Sequence, residues 1–202
     1  VLGENTPLDK SFDAKSVPNP VGNYSLSKLE AEKKLSNIAN KNDVDLIIIR
    51  PPLIYGPNVG ANFLQMMNIL YKKIPLPFKN IKNKRSNVFV GNLSDLIYTC
   101  IVKKNLKSNI LLVSDKELVS SKKLMEMISL NFNSKIIFFS FPLKFLSLIF
   151  YLINKKSKFN RIKDSLIVDS SETNNILNWY PPFSMSEGLR ITTASYLSKK
   201  RK

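Results

Sequence analysis

Hydrophobic residues first recur at helix-compatible spacing between Tyr24 and about Ala39. Leu26, Leu29, Leu35 and Ile38 mark the turns, and good helix formers fill the gaps. The run VDLIIIRPP that follows is of another kind. It is short, rich in Ile and stopped by two prolines, the pattern of a strand buried on both faces of a parallel sheet. A helix followed by a fully buried strand is the grammar of an α/β doubly wound fold.

Beyond Gly56-Pro57 the pattern predicts a helix from about Asn62 to Lys72, a loop through IPLPFKNIKNKRS and a short strand at SNVFV. A helix at LSDLIYTCIVKK and a strand at SNILLVS come next. Then the pattern gives a helix over 120–132, a strand at KIIFFSF and a very apolar helix over 142–154. Near the end, DSSETNNILNW reads as a helix capped by a Ser, with Glu172 in its first turn. Residues 1–22, broken by Pro7, Pro18, Pro20 and Gly22, read as loop.

The stretch from Ile136 to Ile153 is almost entirely apolar, but Pro142 and Lys144 interrupt it. A spanning helix needs about 20 apolar residues, and neither piece left by Pro142 is long enough. The 142–154 helix is expected to be buried or to face a second subunit. Peripheral contact with a membrane surface is the next reading, because the apolar face is wide and lysines flank it at Lys144, Lys155, Lys156 and Lys158.

Composition removes several chemistries. The chain is 44% hydrophobic and 23% charged, so it is globular. The single cysteine, Cys100, rules out an intrachain disulfide. With no histidine, a Cys/His zinc site and a Ser-His-Asp triad are also ruled out, and no metal site is expected. Acid-base work must fall to Tyr, Lys, Asp or Glu. The net charge of +16 invites a nucleic-acid partner. The lysines are dispersed, however, and aromatic residues for base stacking do not interleave with them, so no nucleic-acid partner is expected. The tail Lys199–Lys202 is expected to be a frayed end. The polar opening that starts at Val1 has no apolar signal region and reads as the middle of something.

The sharpest chemical pattern is Tyr24-Ser-Leu-Ser-Lys28. Residues four apart on a helix lie on one face, so a phenol and an ammonium can share one small site. A free phenol holds its proton too tightly to act as a base near neutrality, and a neighbouring cation favours the phenolate. By itself this spacing also fits an ordinary surface helix.

Its context is more specific. NPVGNYSLSKLEAEKKL is followed after about ten residues by LIIIRPPLIYGPNVGANF, then by IPLPF, NKRSNVFVGNLSDLI and the late VDSSETNNILNWYPPFSMSEGL. In this order, over nearly the whole chain, the sequence resembles the extended short-chain dehydrogenases, and within them the NAD-dependent sugar-nucleotide epimerases and dehydratases of the UDP-glucose 4-epimerase type. The resemblance implies a partial Rossmann-like doubly wound parallel sheet, its N-terminal strands missing, joined to a smaller mixed α/β substrate-binding domain. Residues 1–57, with a return around 86–115, would be the remaining part of the NAD-binding domain. Residues 58–85 and 116–202 would mainly form the substrate domain.

The resemblance also implies roles. Tyr24 is the catalytic acid and base, and Lys28 holds the nicotinamide ribose and assists Tyr24. Pro51 and Pro52 meet the nicotinamide end of NAD. Asn62 contacts the substrate diphosphate, Leu76 and Phe78 hold the nucleotide base, and Arg85 pairs with phosphate, where guanidinium forms strong bidentate bonds. Arg50, at a strand end, reads as one half of a structural ion pair. The expected chemistry is oxidation and re-reduction at C4 of a nucleotide- or lipid-linked sugar. A dehydratase or reductase of the same superfamily, or a non-catalytic sugar-nucleotide or membrane-surface binding module, stays as the alternative.

Two departures qualify the resemblance. Gly91 stands where the family commonly has Asp. None of the six glycines makes G-x-x-G-x-x-G, the turn whose backbone amides hold the cofactor pyrophosphate. Val1-Leu2-Gly3 looks like the segment that follows the family's catalytic Ser or Thr, which then lies upstream of residue 1. The chain is therefore expected to be the C-terminal part of an enzyme, inactive without its N-terminal half. The expected setting is the cytoplasm, with contact at the inner membrane face left open, and a homodimer is a further open partner.

Overall fold

The structure is a computed structural model, and it describes residues 1–200. Along the chain run α1 (Gly22–Lys41), β1 (Ile47–Arg50), β2 (Leu53–Tyr55), α2 (Ala61–Tyr71), β3 (Asn87–Phe89) and α3 (Val90–Val102). They are followed by β4 (Asn109–Leu112), α4 (Ser121–Asn131), α5 (Leu143–Leu152), α6 (Lys156–Lys163), α7 (Ser171–Leu177) and α8 (Met185–Lys200). Both strand pairs among the described residues are parallel. β1 lies beside β4, from Ile47 opposite Asn109 to Arg50 opposite Leu112. Pro51 and Pro52 then interrupt the ladder, because proline has no N–H to donate. The chain resumes as β2 with a new partner, β3, from Leu53 opposite Asn87 to Tyr55 opposite Phe89. This is the α/β class with parallel strands that the sequence implies.

Two apolar clusters hold these elements. The smaller gathers Val88, Leu96, Leu111, Val113, Leu177 and Trp179, with Ile47 and Ile49 of β1 against it. Trp179 Nε1 donates to Asp95 Oδ1 at 2.6 Å and so ties the end of α7 to α3. The larger cluster joins α2, α4 and α8 through Phe63, Met67, Leu70, Leu124, Ile128, Met185 and Leu189, with Tyr55 and Phe89 from the β2–β3 pair. Each such side chain fully removed from water contributes about 1.5–3 kcal/mol.

Several expectations change. Strand β1 is half-buried along its whole length, not buried on both faces. Among the described residues it has one paired neighbour, β4. Likewise α1 keeps only Ala39 buried, while Leu26, Leu35 and Ile38 of its apolar pattern are exposed. KIIFFSF forms no strand. It makes one bridge, with Leu76 N donating to Ile137 O at 2.9 Å and Phe139 N to Leu76 O at 3.0 Å. Pro75 and Pro77 flank Leu76 and cannot extend the ladder. In α7, Glu172 does lie in the first turn, but Ser170 makes no capping bond. Asp169 Oδ1 instead accepts from Ser171 N at 2.9 Å.

Two helices, α6 and α8, stand where the pattern predicts none. Helix α6 is strongly basic and buries only Phe159. The start of α8 is a capping box. Ser184 N and Oγ donate to Glu187 Oε2 at 2.9 and 2.7 Å, and Glu187 N donates back to Ser184 Oγ at 3.3 Å. Lys199 and Lys200, expected to be frayed, complete this helix, and cations suit a helix C-terminus. Arg201 and Lys202 lie outside the described residues.

The opening loop is pinned rather than free. Thr6 N donates to Ser165 O and Phe12 N to Ile167 O, both at 2.8 Å, and Asp169 N returns a bond to Phe12 O at 2.8 Å. Residues far apart in sequence are thereby drawn together around the segment after α6.

Candidate functional site

Helix α1 presents Tyr24 and Lys28 one turn apart, as their spacing requires. The Lys28 ammonium sits 5.5 Å from the centroid of the Tyr24 ring. Both side chains are exposed, Tyr24 by 77%, so they meet solvent and not an enclosed cleft. Water screens the charge of Lys28 there. Just below, Glu32 on the same helix takes Arg50 at the end of β1. Arg50 Nε donates to Oε1 at 3.1 Å and Nη2 to Oε2 at 2.6 Å, with side chains only 10% and 16% exposed. The fork satisfies the arginine, as expected of a structural pair, and fixes α1 against the strand end that carries Pro51 and Pro52. Pro51 is exposed and Pro52 half-buried.

The other candidates divide. Asn62 is exposed in the first turn of α2. Leu76 and Phe78 belong to the larger core and are 9% and 6% exposed. Arg85 is half-buried and donates through Nη1 to Asp164 O at 2.9 Å. Burial above all, and then the neighbouring Arg161 guanidinium, pull Arg85 below the usual guanidinium range, while Asp164 and Glu4 oppose the shift. Arg161 pairs with Glu4 Oε1 at 2.5 Å. A cavity of about 500 Å³ lies alongside, lined by residues that include Thr6, Lys82, Asn83, Lys163, Asp164 and Ser165. The structure thus brings Arg85 to a cationic corner and leaves Asn62 in no hydrogen bond with it among the described residues.

Sequence reasoning does not find Arg161, Lys82 or Lys163. Arg161 is held by Glu4 of the opening loop, 157 positions away, and Lys82 and Lys163 line one cavity beside the Asn83–Asp164 hydrogen bond. It also does not find the polar centre beneath β2 and β3. There Asp115 Oδ1 accepts from Phe89 N at 2.9 Å and Asn92 Nδ2 at 2.7 Å, and Oδ2 accepts from Tyr55 OH at 2.7 Å. Asn92 continues the network to the backbone N–H and carbonyl of Phe183. Burial pushes the Asp115 carboxyl up, against the pull of its three donors, and pushes the Tyr55 phenol up as well. A second cavity, of about 270 Å³, opens on Asp115 from the side of Ser86 and Asn174.

Residues 1–112, which carry α1, the β1–Pro51–Pro52 turn, Asn62, Leu76, Phe78 and Arg85, match the family described as NAD dependent epimerase/dehydratase family. The chain belongs to that family. It is 36% identical over 198 residues to a UDP-glucose 4-epimerase of Vibrio cholerae, in a match covering 98% of this chain and 60% of the relative. A Thermotoga maritima UDP-glucose 4-epimerase solved with UDP-glucose has the same fold, at a TM-score of 0.70, with 16% identity and coverage of 98% and 60%. A Bacillus anthracis dTDP-glucose 4,6-dehydratase in complex with NAD superposes equally well, at a TM-score of 0.72, with 14% identity and coverage of 99% and 60%. The chain therefore spans about 60% of the length of the family members it matches.

Proposed function

We propose that this chain is the later part of an NAD-dependent epimerase that inverts C4 of a nucleotide sugar. The observation that carries the reading is the extended identity to the Vibrio cholerae UDP-glucose 4-epimerase. The residues support it chemically. Tyr24 and Lys28 are carried on the helix whose Glu32 is bound to Arg50 at the carboxyl end of β1, the end at which parallel sheets receive ligands.

The residues present fit the nicotinamide-ribose end of NAD. The Tyr24 hydroxyl and the Lys28 ammonium make no ion pair or side-chain hydrogen bond among the described residues, so both donors are free, and Pro51 is exposed. When bound, NAD supplies the hydride chemistry at C4. The chain's own part is proton transfer and positioning. Tyr24 Oη takes the C4 hydroxyl proton and later returns it, and Lys28 orients the ribose and supports the phenolate once solvent is excluded.

At the other end, Arg85 and Arg161 lie in each other's field. A diphosphate placed between them and the lysines of the adjoining cavity relieves that repulsion and gains charge-assisted bonds. Asn62 adds an amide donor from α2. Leu76 and Phe78, both buried, would back the nucleotide base from the core, and the Leu76 N–H and carbonyl are already taken by the 137–139 segment. The exposure of Tyr24 favours one corollary. This chain alone does not turn over substrate, because proximity and orientation, worth about 7–11 kcal/mol of barrier, are missing.

Calorimetric titration of UDP onto the 202-residue chain tests the phosphate corner. Arg85→Ala and Arg161→Ala are each expected to weaken UDP binding about tenfold or more, since bonds to charged groups contribute about 1.5–3 kcal/mol. Unchanged affinity in both variants removes these arginines from the site.

A further inference from the structure

Helix α5 presents two apolar faces to different surroundings. Leu146 is buried on one, with Leu143 and Phe150 half-buried beside it, and Phe150 stacks on Phe159 of α6 at 5.1 Å. The opposite face carries Phe145, Leu148, Ile149 and Leu152, at the i, i+3, i+4, i+7 spacing of one helical stripe. They are exposed by 63, 52, 45 and 73%. A face of four adjacent large apolar side chains is not a scattering of single exposed residues.

Along the sequence, the charge flanking the stripe has one sign. No acidic residue occurs between Glu126 and Asp164, whereas Lys135, Lys144, Lys155, Lys156 and Lys158 are all exposed there. The Lys156 ammonium lies 5.6 Å from the centroid of the Tyr151 ring, at the edge of the stripe. Tyr151 has the apolar body and polar tip that suit a boundary between hydrocarbon and water. Ten residues of helix extend about 15 Å, half a bilayer core, so α5 is too short to cross. Among the described residues no helix is long and apolar enough to do so. A symmetric pairing of two copies through this face would bring together two copies of a segment that carries lysines and no carboxylate.

We infer that α5 is an interfacial helix that docks this protein on an anionic lipid surface. The stripe enters the acyl boundary, and the lysines meet headgroup phosphates. The stripe residues are not among those lining the cavity beside the arginines, and the inference does not rest on the epimerase reading.

Vesicle flotation of the 202-residue chain tests it, with vesicles of equal parts phosphatidylcholine and phosphatidylglycerol, or of phosphatidylcholine alone, at low and high salt. The chain is expected to float with the mixed vesicles at low salt and to be released by high salt or by neutral lipid. Leu148→Glu with Leu152→Glu is expected to abolish flotation. Both positions are exposed, so the fold persists, which circular dichroism checks. Lys155→Ala with Lys156→Ala is expected to weaken partitioning by about fivefold per lysine. Failure of the native chain to float with anionic vesicles overturns the inference, as does equal flotation of the double Glu variant. A dimer in sedimentation that the double Glu variant splits, without any flotation, assigns the face to a second copy and overturns it too.

Discussion

Gly91 has room for a hydrogen and nothing larger. A Cβ built there would lie 2.5 Å from Phe89 Cε1 and 3.3 Å from Phe183 Cδ2. The Asp common at this place in the family has no space against the Phe89 ring, which also packs on Tyr55 at 5.7 Å and on Phe183 at 5.5 Å. The buried hydrogen bonding beside Phe89 is supplied by Asp115 and Asn92. Overpacking of this kind costs about 1–3 kcal/mol, so Gly91→Ala should lower the urea midpoint without changing the slope of the transition.

Asp115 leads to a second residue-scale expectation. Its folded-state affinity for protons is raised by burial, so the folded state binds more protons than the unfolded one just above the ordinary carboxylate range. Stability then falls as pH rises from about 4 through the raised value. Asp115→Asn should flatten that part of the profile, as thermal unfolding across a pH series will show. The Asp115 network is not legible in the sequence, since its partners lie 23 to 60 positions away, and neither is the steric role of Gly91, since the Phe89 ring against it is packed on Tyr55 and Phe183. Tyr24 and Lys28 are legible because a helix repeats within four residues.

Elements were readable where their own residues decide them. Helix α1, the proline-stopped strand β1 and helix α2 follow from local patterns. KIIFFSF fails as a strand for a reason outside itself, the two prolines beside its only bridging partner, Leu76. Helix α8 has a signal that hydrophobic spacing does not include, the Ser184–Glu187 box at its start. Ser184→Ala should cost about 1 kcal/mol, with the lost protection appearing first in hydrogen exchange of the opening turn of α8. That loss matters beyond the helix, because Met185 and Leu189 are fully buried in the larger core.

At the scale of the whole molecule there are two apolar clusters: α7 and Trp179 pack with β1 and β4, while Tyr55 and Phe89 pack with α2, α4 and α8. The Tyr24–Lys28 face is complete as a pair and open as a site, and the chain spans about 60% of its relatives' length. As proposed above, this pair becomes catalytic once a cofactor-binding part encloses it. The most direct test is interconversion of UDP-glucose and UDP-galactose with NAD. It compares the 202-residue chain alone, the chain fused behind the nucleotide-binding half of a related epimerase, and the same fusion carrying Tyr24→Phe. The account predicts no turnover from the chain alone, turnover from the fusion, and a loss of about 10²–10⁴-fold in Tyr24→Phe, the usual range for removing a general acid-base group. Steady turnover by the chain alone, or a Tyr24→Phe fusion as active as its parent, would contradict it.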